Sequence, residues 1–433
     1  WQAFFRRWPL HEPTEKGRWN FAGHVVNNAM ALKQGGLWWR FTGDDADRHA
    51  PEAMLQALDC YHGMPTGVFS GDECLAGTRA IQGTELCAVA ECMYSLEWLA
   101  FLLGDTTFAD RLEQIAFNAL PATFTPDMWG HQYDQQVNQI ECSARENRSW
   151  NTNGPAANIF GLEPNYGCCT ANLSQAWPKF AASLWARPAD GGIAAMAYAP
   201  SRLDTDIHGV NASVQLETEY PFRQDLHFTV RTAEPVTFPL HLRIPAWATT
   251  PTLEINGAHV PIVPEAGFHT VERSWSGETR IVLSLPMDPR CSARPNGAVS
   301  IHRGPLLYAL KVGEDWRRVN ADMPLRELPH GDWEVYPTTP WNYALETTET
   351  TLVEDIVFRE HPLETPLFAA ANAPVTATVT GRRVPTWTAE NGSAKATPVS
   401  PVDVDGPSET LTLIPYGCSH LRIAEFPVVR GGA

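Results

Sequence analysis

At Asp190-Gly191-Gly192 the hydrophobic pattern of this chain changes period, and that change constrains the fold more than any other feature. Before it, apolar residues recur at three- and four-residue spacing, as in helices that bury one face. The stretches 24–43, 47–63, 85–105, 107–123 and 170–187 read as such helices. Gly104-Asp105 breaks the third from the fourth, and Pro178 is expected to kink or shorten the fifth. Consecutive helices with short loops suggest stacked antiparallel hairpins. After the change, alternating β-branched segments take over: "SVQLETEYPF", "LHFTVRT", "FPLHLRIPAW", "TLEINGAHV", "TRIVLSLP" and "VSIHRGPLLYAL". Asn256-Gly257 is a hairpin turn signal. From about residue 314 the chain is rich in Pro and Thr, then returns to shorter strands through "LTLIPYGCSHLRIAEFP". The expected organisation is a helical domain over 1–189, an antiparallel β-sandwich over 190–313 and an accessory β-domain over 314–433.

With 433 residues the chain is long enough for several domains and a sizeable core. Its 32 Lys and Arg against 49 Asp and Glu give a net charge of −17, and no basic run occurs. Nucleic acid is therefore not an expected partner. No unbroken apolar run reaches the ~18–20 residues of a membrane span, so a membrane is not expected either. Sixteen tryptophans suit a protein that handles flat or sugar-like ligands, and a large core uses them equally well. The chain opens "WQAFFRRWPL", without an initiator methionine or a signal peptide, so this end gives no compartment.

Nine cysteines, odd in number and irregular in spacing, do not form a disulfide framework, and seven of them lie between residues 60 and 169. Two are adjacent, Cys168 and Cys169, after a glycine and before a helical pattern. Neighbouring thiols bridge each other poorly, because the bond geometry is strained. They are better suited to sharing a metal, or to dividing ligand and nucleophile roles. Glu85 and Cys87, one residue apart at another helix start, would add a carboxylate and a third sulfur. One oxygen and three sulfurs make a tetrahedral set of the softness zinc selects. The same residues also suit a packed interior, since free cysteine behaves as a small apolar side chain. A cysteine at a helix N-terminus has its thiolate stabilised by free N–H groups and the dipole. Just upstream, the glycine-punctuated loop "GVFSGDECLAG" carries Asp72 and Glu73, either of which could serve as a general acid and then base.

The segments "ELCAVAECMYSLEWL", "DRLEQIAFNALPA", "NYGCCTANLSQAWPKF", "LRIPAWA", "INGAHV" and "RGPLLYAL" together resemble family 127 of the glycoside hydrolases, the β-L-arabinofuranosidase family. The resemblance runs from about residue 20 to the end. It implies an (α/α)6 barrel followed by β-sandwich domains. Such a barrel has twelve helices, against about five read here, so the chain is expected to be the C-terminal part of a longer protein. On that expectation the piece alone could be inactive, with unpaired helices exposing apolar faces. The resemblance further implies zinc bound by Glu85, Cys87, Cys168 and Cys169, with Cys168 as nucleophile. Glu73 matches the acid/base residue, with Asp72 as the neighbouring alternative. His24 and Tyr133 match sugar-contacting positions.

The expected function is a zinc-dependent retaining hydrolase that releases β-L-arabinofuranose or a related sugar. The alternative is a non-catalytic carbohydrate-binding protein with a structural zinc. A third reading is a structural module whose cysteines bind nothing. The partner is a carbohydrate substrate, and the oligomeric state is open, a homodimer included. A reduced thiol site is easiest to keep in a cytoplasm.

Overall fold

The computed structural model describes residues 23–162, 166–347 and 351–430. The opening "WQAFFRRWPL" and the "EPN" that leads into the Gly-Cys-Cys turn lie outside the described residues. Helices do come first and β-sheets follow.

Five helices of more than one turn occur among the described residues: α1 (Val25–Thr42), α2 (Asp45–His62), α3 (Leu86–Leu103), α4 (Thr106–Phe117) and α5 (Gly167–Ala182). Each end has a local cause. At α1 the ring nitrogen Nδ1 of His24 accepts from the Asn27 N–H, and Gly43 closes the helix at φ +64°. Asp44 caps α2 by accepting from the Ala46 N–H. Asp105 does the same for α4, bonding the Thr107 N–H and hydroxyl.

Two helices differ from expectation. α4 stops at Phe117 rather than near 123, and Pro121–Thr123 forms a separate 3-10 turn that begins at the proline. α5 starts at Gly167, three residues early, and ends at Ala182. Pro178 sits inside it and the helix runs on for four residues. α3 is long and apolar enough to cross a membrane by composition alone; two thirds of it is buried inside the protein.

The chain divides into two compact units. The first contains the residues up to Ser95, Gln114–Ala176 and the chain from Pro289 onward. Here β1 (Gly83–Glu85) pairs antiparallel with β2 (Asp134–Gln136). The chain beyond β2 is tied to the C-terminal segment by buried side chains. Tyr416 donates to Gln135 Oε1 at 2.8 Å, and Asn138 bonds the Ala424 and Glu425 backbone. The C-terminal part forms a seven-stranded sheet. Its order is Pro289–Ala293, Val299–Arg303, Leu306–Leu310, Glu409–Pro415, Val375–Arg383 and Tyr343–Leu345, and Val357–Glu360 also pairs with Val375–Arg383. Leu307, Ala309, Tyr416 and Ala424 pack with Met64, Ala80, Ala122 and Val137 in a shared core.

The second unit contains Leu96–Glu113 and Trp177–Asp288. Its eight strands are β3 (Trp185–Ala186), β4 (Ile193–Ala195), β5 (Ser201–Ile207), β6 (Val210–Thr218), β7 (Asp225–Arg243), β8 (Thr252–Ile255), β9 (Ala258–Val260) and β10 (Phe268–Ser284). The path runs β3-β4-β7-β10-β8-β9, with β6 also on β7 and β5 on β6. The segments "LHFTVRT" and "FPLHLRIPAW", read as separate strands, are one nineteen-residue strand. Its register against β10 shifts where Thr232 and Val236 face Gly277 and Trp275. Pro235 lies in that irregularity, so its missing N–H costs no ladder bond. Asn256 and Gly257 both take positive φ, the geometry of the tight hairpin turn expected there.

Candidate functional site

Local pairing in the first unit gathers the functional side chains. In the β1–β2 register Glu85 lies opposite Asp134, and the Leu86 N–H donates to the Tyr133 carbonyl at 2.9 Å. Tyr133 is thereby set beside Glu85, where α3 begins, and Cys87 follows in its first turn. The glycine-rich loop is tied to the start of α1: Val25 N–H bonds the Asp72 carbonyl, and Leu75 N–H bonds the Gly23 carbonyl. This brings His24 Nε2 to 3.4 Å from Glu73 Oε2 and 4.0 Å from Glu85 Oε2. Because His24 Nδ1 accepts the helix-capping bond, its Nε2 carries the proton and points it at those two carboxyls.

The first turn of α5 supplies the cysteine pair. Cys169 is buried and its Sγ lies 3.3 Å from Cys87 Sγ, whereas Cys168 is exposed. One ligand atom each from Glu85, Cys87, Cys168 and Cys169 lies within 4.8 Å of every other. Gly167 keeps ordinary helical backbone, and a Cβ there would meet nothing within 4 Å. No tight turn demands this glycine; it leaves open space next to Cys168.

The electrostatics separate the four groups. Hydrogen bonds from the Cys169 and Cys87 thiols, helped by backbone N–H groups, pull the Cys168 thiol down to about 2. Cys87 and Cys169 are pushed far above the ordinary thiol range, chiefly by the bonds they give Cys168. Burial raises Glu85 to about 8, opposed by a bond from Cys87. Burial and mutual repulsion therefore work against ionising all four donors together, and Glu85 Oε2 has no hydrogen-bond partner. A bound divalent cation removes that frustration, and three sulfurs with one carboxylate oxygen are a donor set for a soft tetrahedral ion. These residues fit a metal.

Every residue singled out from the sequence falls in this neighbourhood. Asp72 and Glu73 are distinguished by their surroundings. Asp72 is buried and accepts from the Thr152 N–H and hydroxyl and from the Cys74 N–H. Glu73 is 37% exposed and pairs with His24. Tyr133 is buried, its hydroxyl accepts from Asn153 Nδ2 at 2.7 Å, and its ring packs on Tyr166 with centroids 4.4 Å apart. Burial and the surrounding carboxylates push its phenol far upward, so it stays protonated.

Sequence reading missed four contributors: Thr152, Asn153, Tyr166 and His131. His131 Nε2 lies 2.9 Å from Thr170 Oγ1 and steadies the turn that carries the cysteines. Tyr166 was within view, two residues before Cys168, but nothing local marks it as the platform for Tyr133. Asp134, wholly buried, is pushed well above the ordinary carboxylate range by burial and by the nearby Asp72, Glu85 and Glu73.

A helical segment followed by β-sheets, carrying a buried thiol–carboxylate centre, defines the class. Residues 192–287 match the family model described as "Beta-L-arabinofuranosidase, GH127 middle domain". No curated protein matches the chain. Among solved structures, the chain is similar to Ara127N-Se, a GH127 β-L-arabinofuranosidase from Geobacillus stearothermophilus T6. The TM-score is 0.68 at 19% identity, over 93% of this chain and 59% of that one. A second is the GH127 β-arabinofuranosidase BT3674, with TM-score 0.66 and 18% identity over 94% and 60%. A third, titled a glycoside hydrolase, gives 0.66 and 15% over 96% and 67%. Residues 192–287 thus match the GH127 middle-domain model and the chain shares the fold of these solved structures, in keeping with the resemblance read from the sequence. It spans about 60% of the length of the first two solved structures.

Proposed function

We propose that this chain supplies the catalytic centre of a zinc-dependent retaining glycoside hydrolase that releases β-L-arabinofuranose or a related sugar. On this reading helices α1–α5 are part of an (α/α)6 barrel, strands β3–β10 the β-sandwich and the strands from Pro289 onward the accessory β-domain, the second boundary lying near 288 rather than 313. The observation that carries it is the convergence of Glu85, Cys87, Cys168 and Cys169, with Cys168 the exposed member of the four. Buried Glu85, Cys87 and Cys169 would hold the ion together with Cys168. Zinc bound there supplies the positive charge that keeps several adjacent sulfurs ionised.

Cys168 is the nucleophile. Its sulfur forms a bond to the anomeric carbon as the glycosidic C–O bond breaks, and Glu73 gives its proton to the departing oxygen. Glu73, now a carboxylate, then takes a proton from water. The water oxygen attacks the same carbon from the opposite side, and Cys168 leaves as a thiolate. Two inversions give net retention. A low thiolate basicity, favoured by the backbone N–H groups of the first turn of α5, would also make Cys168 a good leaving group in this second step. His24 Nε2–H is a donor for a sugar hydroxyl or for the Glu73 carboxylate. The Tyr133 hydroxyl, held by Asn153, orients the sugar from the other side.

The test is metal content by mass spectrometry, with hydrolysis of p-nitrophenyl β-L-arabinofuranoside by the protein extended to its natural start. One zinc per chain, with turnover abolished in Cys168→Ser and Glu73→Gln, is expected. Zinc with no turnover of any pentofuranoside would favour the sugar-binding alternative, and absence of zinc would sink the metal–thiolate reading.

A further inference from the structure

A cavity of about 920 Å³ opens in the first unit, away from the four-donor centre. The indoles of Trp129, Trp316 and Trp333 line it, together with Leu328, Pro329 and Pro366. Its size lies in the range of small-molecule sites, roughly 300–1,000 Å³. Trp129 is 47% exposed, yet the turn that carries it is pinned. Asp127 Oδ1 accepts from the Trp129 N–H at 3.1 Å and from the Thr125 hydroxyl at 2.6 Å. Trp129 packs at right angles on His330, centroids 4.9 Å apart, and the part of its indole left open to solvent on this fixed turn is available to a ligand.

The polar groups of the cavity are committed to one another. Glu314 Oε1 accepts from the His420 and Leu421 N–H groups, and Oε2 from Trp316 Nε1 at 2.9 Å, with His420 Nδ1 3.3 Å away. His420 Nε2 meets the Phe124 carbonyl at 3.2 Å. These bonds fix the Trp316 indole, which stands edge-on to both His420 and Trp333. No buried donor or acceptor among them waits for a charged ligand. The lining includes two carboxylates, Glu314 and Asp127, and neither Lys nor Arg. An anion is therefore disfavoured, and an occupant with flat apolar faces and peripheral hydroxyls is favoured.

Through its wall, the cavity is linked along the chain to the proposed chemistry. Gly130 lines it, and the next residue, His131, makes the contact to Thr170 in the first turn of α5. The side chain that steadies the cysteine turn thus follows directly on a residue of the cavity wall.

We propose that this cavity binds a neutral oligosaccharide through its tryptophan faces, holding sugar units remote from the bond cleaved at Cys168. The choice of a sugar rests on the hydrolase reading, but binding here requires neither the metal nor turnover, so the two fail separately.

The experiment is isothermal titration calorimetry of the whole chain with L-arabinotetraose, xylotetraose and tetragalacturonate, alongside Trp129→Ala, Trp333→Ala and Cys168→Ser. At least one neutral tetrasaccharide should bind. Trp129→Ala should weaken it about tenfold, the loss of one stacking face, and Cys168→Ser should leave it unchanged. Trp129 is half exposed, so its variant keeps the fold, as circular dichroism verifies, even if Trp333→Ala does not. The proposal is overturned if neither neutral tetrasaccharide binds, if tetragalacturonate binds more tightly, or if Trp129→Ala leaves binding unaltered. A change in sedimentation with no change in sugar binding would likewise overturn it, in favour of an interface between two copies.

Discussion

Arg243, at the end of β7, is wholly buried and held by three acceptors: Asp110, Glu113 and the Met196 carbonyl, the last at 2.7 Å. The Glu113 contact is an ion pair to Nη2, without the angle of a hydrogen bond. Glu113, also wholly buried, accepts in addition from the Tyr198 N–H at 2.7 Å and the Tyr220 hydroxyl at 2.5 Å. Burial alone raises the Glu113 carboxyl, and Arg243 pulls it back. Glu113→Ala would leave the guanidinium with one carboxylate and orphan two buried donors. Breaking a buried pair by removing one partner costs about 3–5 kcal/mol. Asp110 remains, which favours the lower end, so about 3 kcal/mol is expected. At roughly 2–4 °C per kcal/mol this corresponds to a melting temperature lower by about 10 °C. The triple variant Asp110→Asn/Glu113→Ala/Arg243→Met removes the stranded guanidinium without leaving Asp110 as a new unpaired carboxylate, and should regain at least half of the loss. Thermal unfolding followed by circular dichroism measures both. A single variant within about 1 kcal/mol of the parent, or a triple variant less stable than the single, would refute the argument that the charge itself is what must be satisfied.

Three further outcomes follow from particular residues. His302 is buried and, through burial and the nearby Arg290 and Arg294, held down to about 3. Its folded value lies below the unfolded one, so its contribution is intact above about pH 6.5 and is lost as pH falls toward 3, at up to about 1.4 kcal/mol per unit; His302→Gln should flatten this part of a stability–pH curve. Gly267 has φ +79° and a Cβ there would collide with the Thr106 side chain, so Gly267→Ala should cost about 2 kcal/mol or more in denaturant unfolding. Asn153→Ala frees the Tyr133 hydroxyl and should lower kcat/KM of the extended protein about tenfold, a loss of one positioning hydrogen bond, while leaving zinc content at one per chain.

Much of the fold was legible because its causes are local. His24, Asp44, Gly43 and Asp105 mark helix ends by capping chemistry that acts within a few residues, and Asn256-Gly257 marks a hairpin by its tolerance of positive φ. Where prediction slipped, distant contacts had intervened. The segments "LHFTVRT" and "FPLHLRIPAW" read as two strands, but a register shift against β10 lets β7 pass through Pro235 as one. Val299–Arg303 and Leu306–Leu310 read as a continuation of the middle strands, yet they hydrogen-bond into the C-terminal sheet.

The sequence by itself determined the change from helix to strand, and which donors were on offer: a Glu-x-Cys, an adjacent cysteine pair and an acidic glycine-rich loop. Only tertiary structure decided that these donors meet. Cys87 and Cys169 stand 82 residues apart, and the β1–β2 pairing and the first turn of α5 bring their sulfurs to 3.3 Å. The same folding distinguished Glu73 from Asp72, by spending the Asp72 carboxylate on Thr152, and assembled three separated tryptophans around one cavity. Periodicity and capping depend on near neighbours and can be read along a chain. Convergence depends on which distant segments close on each other, and no local pattern records it.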